Sequence, residues 1–249
     1  MDKIIEKYNR YSTDKLSAWK NKLTWKGCDG KNPKHTTSIC KWNAETNGFA
    51  SIKKVNNVND LFKEIDMISK SYTDWVKTKN EYTKEECEDM KRFFIGAMGE
   101  FFFAFFFEEL KGINLKDSTG VIKYYNMYYI SPTLKHERDL GVDFTGVIND
   151  IPSVLQIKFW NPFGQKTIGV DIIQKAYAEG ISGDLIQKEE NENIFICFLG
   201  NEETVYNKIK TTNYKKNVIV IGKTAMDIAI NNRNKIFWNN FYNNLENLK

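Results

Sequence analysis

Gly141-Val142-Asp143-Phe144-Thr145-Gly146-Val147-Ile148 leads through Asn149-Asp150-Ile151-Pro152 into Ser153-Val154-Leu155-Gln156-Ile157-Lys158-Phe159-Trp160. Two β-favouring runs separated by a turn-forming cluster predict a hairpin. Alternation along the second run puts Leu155, Ile157 and Phe159 on one face and Gln156 and Lys158 on the other. In the first run Val142 and Phe144 face the core while Asp143 points the opposite way. A turn centred between Asp150 and Ile151 sets Asp143 opposite Lys158 and diagonal to Gln156, roughly 5–8 Å apart between Cβ atoms. A carboxylate, an amide and an amine are thereby expected to converge.

Upstream of the hairpin, the sequence predicts a long helix from about Glu85 to Leu110, with Gly112 placed to stop it. A strand-like stretch, Val121 to Ile130, separates the two. Downstream come a helix near Val170 to Glu179, a buried strand Ile194 to Leu199, a strand Val218 to Ile221 and a closing helix from about Ala225. The order α-β-β-β-α-β-β-α predicts an α/β fold, a central mixed β-sheet flanked by helices. Residues 85–249 are expected to form this core and residues 1–84 a mainly helical accessory region. In the latter, Leu61, Phe62, Ile65 and Ile68 fall on one helical stripe. No internal repeat or low-complexity tract is seen.

A chain of 249 residues suffices for one large domain, or for a core of roughly 150 residues with a smaller partner. Its 41% hydrophobic and 27% charged residues are those of an ordinary globular protein, and 14% aromatic residues point to a solid interior. The run from Phe101 to Phe107 is bounded by Glu100 and Glu108-Glu109, so it is far shorter than the roughly 20 apolar residues of a spanning helix. It reads as a buried helix, and no membrane association is expected. Cys28, Cys40, Cys87 and Cys197 are irregularly spaced in a chain with no evident signal peptide, which favours a reducing, cytoplasmic setting.

The net charge of +4 permits a nucleic-acid partner only if the cations cluster. Between Lys15 and Lys54 nine lysines stand against Asp29 and Glu45, interleaved with Trp19, Trp25 and Trp42. Lysines neutralise phosphate and flat rings stack on bases, so this stretch reads either as a nucleic-acid surface or as a solvated face with three packed tryptophans.

The hairpin trio suits phosphodiester hydrolysis. A carboxylate and an amide oxygen are hard ligands for Mg²⁺, whose shell is completed by backbone carbonyls, such as that of Ile157, by water and by substrate phosphate. The ion would polarise the phosphate and acidify a bound water. Lys158 would orient or deprotonate that water, or neutralise charge growing on the phosphorane. The competing reading is a cross-strand ion pair worth about 0.2–1 kcal/mol, against which stand the apolar flanks of both strands.

These residues resemble the PD-(D/E)xK, or restriction-endonuclease-like, nuclease superfamily: Gly141-Val142-Asp143-Phe144, the hairpin, and Gln156-Ile157-Lys158, preceded by a helix carrying Gly99-Glu100. The resemblance implies that Asp143 is the metal-binding aspartate, Lys158 the catalytic lysine and Glu100 a further ligand or water-positioning acid. Gln156 stands where glutamate is commonest, as in the QxK variant of type IV, methyl-directed restriction enzymes. The implied activity is Mg²⁺-dependent cleavage of double-stranded DNA, with Mn²⁺ a substitute, in restriction or another anti-invader role. A homodimer would supply one active site per strand. Two alternatives keep the same residues: a recombination or repair nuclease acting on branched or damaged DNA, and a DNA-binding relative that has lost cleavage.

Other signals are weaker. Glu137 and Asp139 could supplement Asp143, but loop charge is the commoner role. Gln174 and Lys175 are expected on solvated helix surface. Gly222-Lys223-Thr224 lacks the earlier glycine of a phosphate-binding loop, so no nucleotide cofactor is expected. Cys28, His35 and Cys40 match no zinc-site spacing.

Overall fold

The computed structural model describes residues 38–79, 82–109, 115–116, 121–122, 125–129, 144–148, 151–159, 169–182, 193–198, 218–221, 226–227, 230–231 and 234–246. Helix α1 (Ser38–Thr46) is followed by a 3₁₀ turn (Gly48–Ser51). Helices α2 (Val58–Thr78) and α3 (Lys84–Glu109) come next. The strand segments are β1 (Leu115–Lys116), β2 (Val121–Ile122), β3 (Tyr125–Tyr129), β4 (Phe144–Ile148) and β5 (Ile151–Lys158). Helix α4 (Val170–Ser182), β6 (Asn193–Phe198), β7 (Val218–Ile221) and α5 (Asn234–Glu246) complete the order.

Local chemistry starts the two long helices. Asn57 caps α2 by accepting the Asp60 backbone N–H at 2.9 Å. At the head of α3, Thr83 and Glu86 form a reciprocal capping box: the Glu86 N–H donates to the Thr83 hydroxyl and the Thr83 N–H to the Glu86 carboxylate. Helix α2 buries Leu61, Phe62, Ile65, Ile68, Tyr72 and Val76, the stripe expected from their spacing. Helix α3 is different, because Phe101, Phe102, Phe103, Phe105 and Phe106 are all buried. Their spacing spans an arc of about 200°, more than half of the helix circumference, so neighbours must pack on it from several directions. Around it pack α2, α5, β3 and β5. Phe102 alone meets the rings of Phe159, Phe237, Trp238 and Phe241 at centroid distances of 5.8–6.3 Å.

One continuous apolar cluster runs from Ile39 and Trp42 through α2 and α3 to Phe241 and Leu245. It therefore crosses the 84/85 boundary expected between accessory region and core. Trp42 is fully buried against Phe49, Tyr72 and Phe94, so this tryptophan is a packed one rather than a surface for bases. Trp19 and Trp25 lie outside the described residues.

The expected centre of the molecule is corrected by these observations. Among the residues whose side chains are described, 84% are helical and a single strand, the end of β5, is represented. The described interior is thus a helical body built around α3 and not a central mixed β-sheet flanked by helices. The reason lies in the phenylalanine run, which demands cover from several directions and so takes the middle position itself. The strand backbones pair in the order β3-β4-β5-β6-β7, antiparallel as far as β5 and parallel beyond it. They meet the helical body where α3 packs on β5 and β3. Among the described residues no helix is long and apolar enough to cross a membrane.

Candidate functional site

The hairpin forms, with a shifted register. Phe144 pairs with Leu155 and Ile148 with Ile151, so the link is Asn149-Asp150 alone. A turn centred one residue later would have set Phe144 opposite Ile157. A shift of two residues keeps every side chain on its face, because the pleat repeats every two. Asp143 immediately precedes β4 and lies outside the described residues, as do Glu137, Asp139, Cys28, His35 and the stretch 222–224.

The second strand carries the remaining candidates. Ile157 and Phe159 are buried and belong to the helical cluster, where Phe159 meets Phe62 at 5.4 Å and Phe102 at 6.3 Å. By strand alternation Gln156 and Lys158 occupy the other face. Gln156 is buried at 7% exposure, one of four buried polar side chains among the described residues, whereas Lys158 is partly exposed. The Gln156 amide nitrogen lies 3.4 Å from the Ile157 carbonyl oxygen. That contact is at the limit of a hydrogen bond.

Glu100 lies on α3, which packs on the Ile157 and Phe159 side of the strand. The preceding Gly99 is pressed so closely on Phe159, the residue after β5, that a Cβ there would overlap the Phe159 side chain, and the position requires glycine. Glu100, partly exposed, is fixed one residue beyond it. Gln174 and Lys175 on α4 are exposed, the solvated positions expected of them. Among the described residues no three His, Cys, Asp or Glu side chains gather as a metal cluster. The polar groups described at the hairpin are the Gln156 amide, the Ile157 backbone carbonyl and the Lys158 amine.

A second concave feature has no counterpart in the sequence reading. Lys54 and Asn56, ahead of α2, face Lys235, Trp238, Asn239 and Tyr242 of α5 across a cavity of about 560 Å³. The α5 residues share one helical face at i, i+3, i+4 and i+7. The Tyr242 hydroxyl accepts the Val55 N–H at 2.9 Å and donates to the Val55 carbonyl at 3.2 Å. Burial pushes this hydroxyl up to about 12, with the nearby Glu64 carboxylate adding to the rise and the Val55 bond opposing it.

No family model matches the chain, and no curated protein or solved structure matches it.

Proposed function

We propose that the chain is a metal-dependent endodeoxyribonuclease whose hydrolytic centre is the β4–β5 hairpin, with Asp143, Gln156 and Lys158 as its working residues and Glu100 as a helper. The single observation that carries the reading is the buried Gln156 amide set 3.4 Å from the Ile157 carbonyl oxygen. An amide turned over about its last bond would offer its oxygen at that same position. Two oxygens so placed repel each other unless a cation lies between them. An amide oxygen and a backbone carbonyl oxygen are both hard ligands, so Gln156 and Ile157 would be suited to hold Mg²⁺.

Asp143, one residue ahead of β4 in the sequence, would add a carboxylate to the set. Bound Mg²⁺ or Mn²⁺ would supply Lewis acidity toward a phosphate oxygen and a more acidic water. In the proposed reaction a water oxygen bonds to phosphorus, the bond from phosphorus to the leaving sugar oxygen breaks, and that oxygen takes up a proton. Lys158 offsets the charge that grows on the phosphoryl oxygens, two positions along the strand from Gln156. Glu100 orients the attacking water from α3. Double-stranded DNA is the proposed substrate, cleaved in an anti-invader role, with two copies of the chain addressing the two strands.

Nicking of supercoiled plasmid in Mg²⁺ or Mn²⁺ tests this. Lys158→Ala and Asp143→Ala should each lower cleavage at least about 100-fold, on the scale of losing a charge-stabilising group. Binding to duplex DNA, followed by mobility shift, should change little. Gln156→Glu should retain cutting, since it keeps an oxygen ligand. Equal cutting by the native chain and both alanine variants would defeat the assignment.

A further inference from the structure

Helix α5 turns to solvent a face that is charged only at its two ends. At about 100° per residue, Lys235, Ile236, Asn239, Asn243 and Glu246 fall within one stripe about 100° wide, and all five are exposed. Ile236 is 63% exposed, an openness that only Met67 approaches among the large hydrophobic side chains described. Asparagine is a poor helix former, favoured at caps rather than in the body of a helix. Asn240 and Asn244 each have a local role, their amides donating to the Glu109 carboxylate at 3.1 Å and to the Asn240 carbonyl at 2.9 Å. The amides of Asn239 and Asn243 form no hydrogen bond among the described residues.

The end charges give a second observation. Lys235 lies in the first turn of α5 and Glu246 is its last residue, so a cation sits at the positive end of the helix dipole and an anion at the negative end. Both placements are unfavourable within one helix, and no acid in the first turn or base in the last offsets them. An antiparallel second helix reverses both, setting an anion beside Lys235 and a cation beside Glu246. Lys54 already holds one oxygen of Glu246 at 2.9 Å, but with side chains 61% and 41% exposed this pair contributes little, and the carboxylate has a second oxygen to offer.

The stripe is, in addition, complementary to itself. Lys235 and Glu246 are centred on the same point of α5 as Asn239 and Asn243, to within about 1 Å along the axis. A two-fold axis through that point brings Lys235 against Glu246 of a second copy and Asn239 against its Asn243, each contact being made twice. An amide both donates and accepts, so asparagine pairs with its own kind.

We propose that this face of α5 is a self-association surface, on which two copies of the chain meet with their α5 helices antiparallel. Its thirteen residues span about 20 Å, so the contact falls below the roughly 1,200 Å² of a standard interface and the dimer is weak and concentration-dependent. The surface does not involve the hairpin, and association is measured without DNA or metal, so its failure would leave the nuclease reading standing.

Sedimentation equilibrium of the full chain at low salt, over a range of concentrations, tests the proposal. The native chain should pass from monomer to dimer. Lys235→Glu should weaken the dimer at least about tenfold, because two attractive contacts become repulsive, and Glu246→Lys should do the same. Mixed together, the two variants should associate with each other at least about tenfold more tightly than either does with itself, since every contact in the mixed pair again joins opposite charges. Both positions are exposed, and a variant that merely failed to fold would not regain association on mixing. A native chain that stays monomeric up to about 1 mM, a dimer that Lys235→Glu leaves unchanged, or variants that associate no better mixed than alone would overturn the proposal.

Discussion

Helices α2 and α3 lie against each other and follow different plans. Helix α2 is amphipathic: Leu61, Ile65, Tyr72 and Val76 are fully buried while Met67 is 58% exposed. Helix α3 begins with the same division, Glu88, Asp89 and Arg92 exposed and Cys87, Met90 and Phe94 buried. It loses that division in its second half, where five phenylalanines between positions 101 and 106 are buried over more than half of the circumference. A one-sided helix can close a structure from outside, but a helix that is apolar over more than half of its circumference has to be enclosed. Elements to either side of α3 in the sequence accordingly gather on it.

The largest test of this contrast is truncation in the middle of α3. Phe102→Ala should lower the unfolding free energy by about 3–5 kcal/mol, the usual cost of emptying a large aromatic site. Met67→Ala on α2 should stay within about 0.5 kcal/mol of the native chain. Urea unfolding compares the two, and similar losses would remove the distinction between them.

The second test uses the fact that α5 joins its neighbours in two ways. Toward α3 it presents rings, with Phe101 and Phe105 each within about 6 Å of Phe241. Toward the segment ahead of α2 it presents the Tyr242 hydroxyl. That hydroxyl titrates at about 12 in the fold against an ordinary value of 10.0. Because the folded value is raised, the contribution is complete below pH 10 and is lost as pH climbs from 10 through about 12. Over that window stability should fall by about 2–3 kcal/mol, and Tyr242→Phe should abolish this part of the slope. Chemical unfolding at a series of alkaline pH values measures it. An unchanged slope in the variant would show that Tyr242 is not its source.

Two glycines of α3 give the smallest and most local test. Gly99→Ala drives a methyl into Phe159 and should cost about 1–3 kcal/mol. Gly96→Ala, with nothing within 4 Å of the new methyl, should gain about 0.4–1 kcal/mol from helix propensity and reduced freedom of the unfolded chain. Thermal unfolding should therefore move in opposite directions for the same chemical change three residues apart. Shifts of the same sign would mean that α3 does not approach β5 at Gly99.

These contrasts also mark what the sequence could convey. The stripe of Leu61, Phe62, Ile65 and Ile68 is a local repeat, and it correctly identifies both the helix and its buried side. The phenylalanine run correctly reads as a buried helix. What it does not reveal is rank: nothing in a list of strands and helices says which one the others surround. Strands such as Ile194 to Leu199 carry the apolar runs of a sheet centre, which led to the expectation that the sheet, rather than α3, occupies the middle. The register slipped because Asn149-Asp150-Ile151-Pro152 contains several turn formers, and a two-residue turn can sit at more than one place among them. At the site, pleat periodicity suffices to put Gln156 and Lys158 on one face. The closeness of Gly99 to Phe159, and of Val55 to Tyr242, joins positions 60 or more residues apart, where no local period operates.

The segment Phe101-Phe102-Phe103-Ala104-Phe105-Phe106-Phe107 has one more consequence, for the chain before it is folded. Free of proline and of charge, and rich in a residue that favours extended structure, it has the composition of segments that stack into cross-β assemblies. Enclosure in a helix keeps its backbone donors and acceptors occupied, and the carboxylates of Glu100, Glu108 and Glu109 bracket it with repelling charge. Each excursion that uncovers this heptapeptide offers it to another molecule in the same condition. Recovery after heating should accordingly depend on protein concentration, with dilute samples refolding and concentrated ones precipitating.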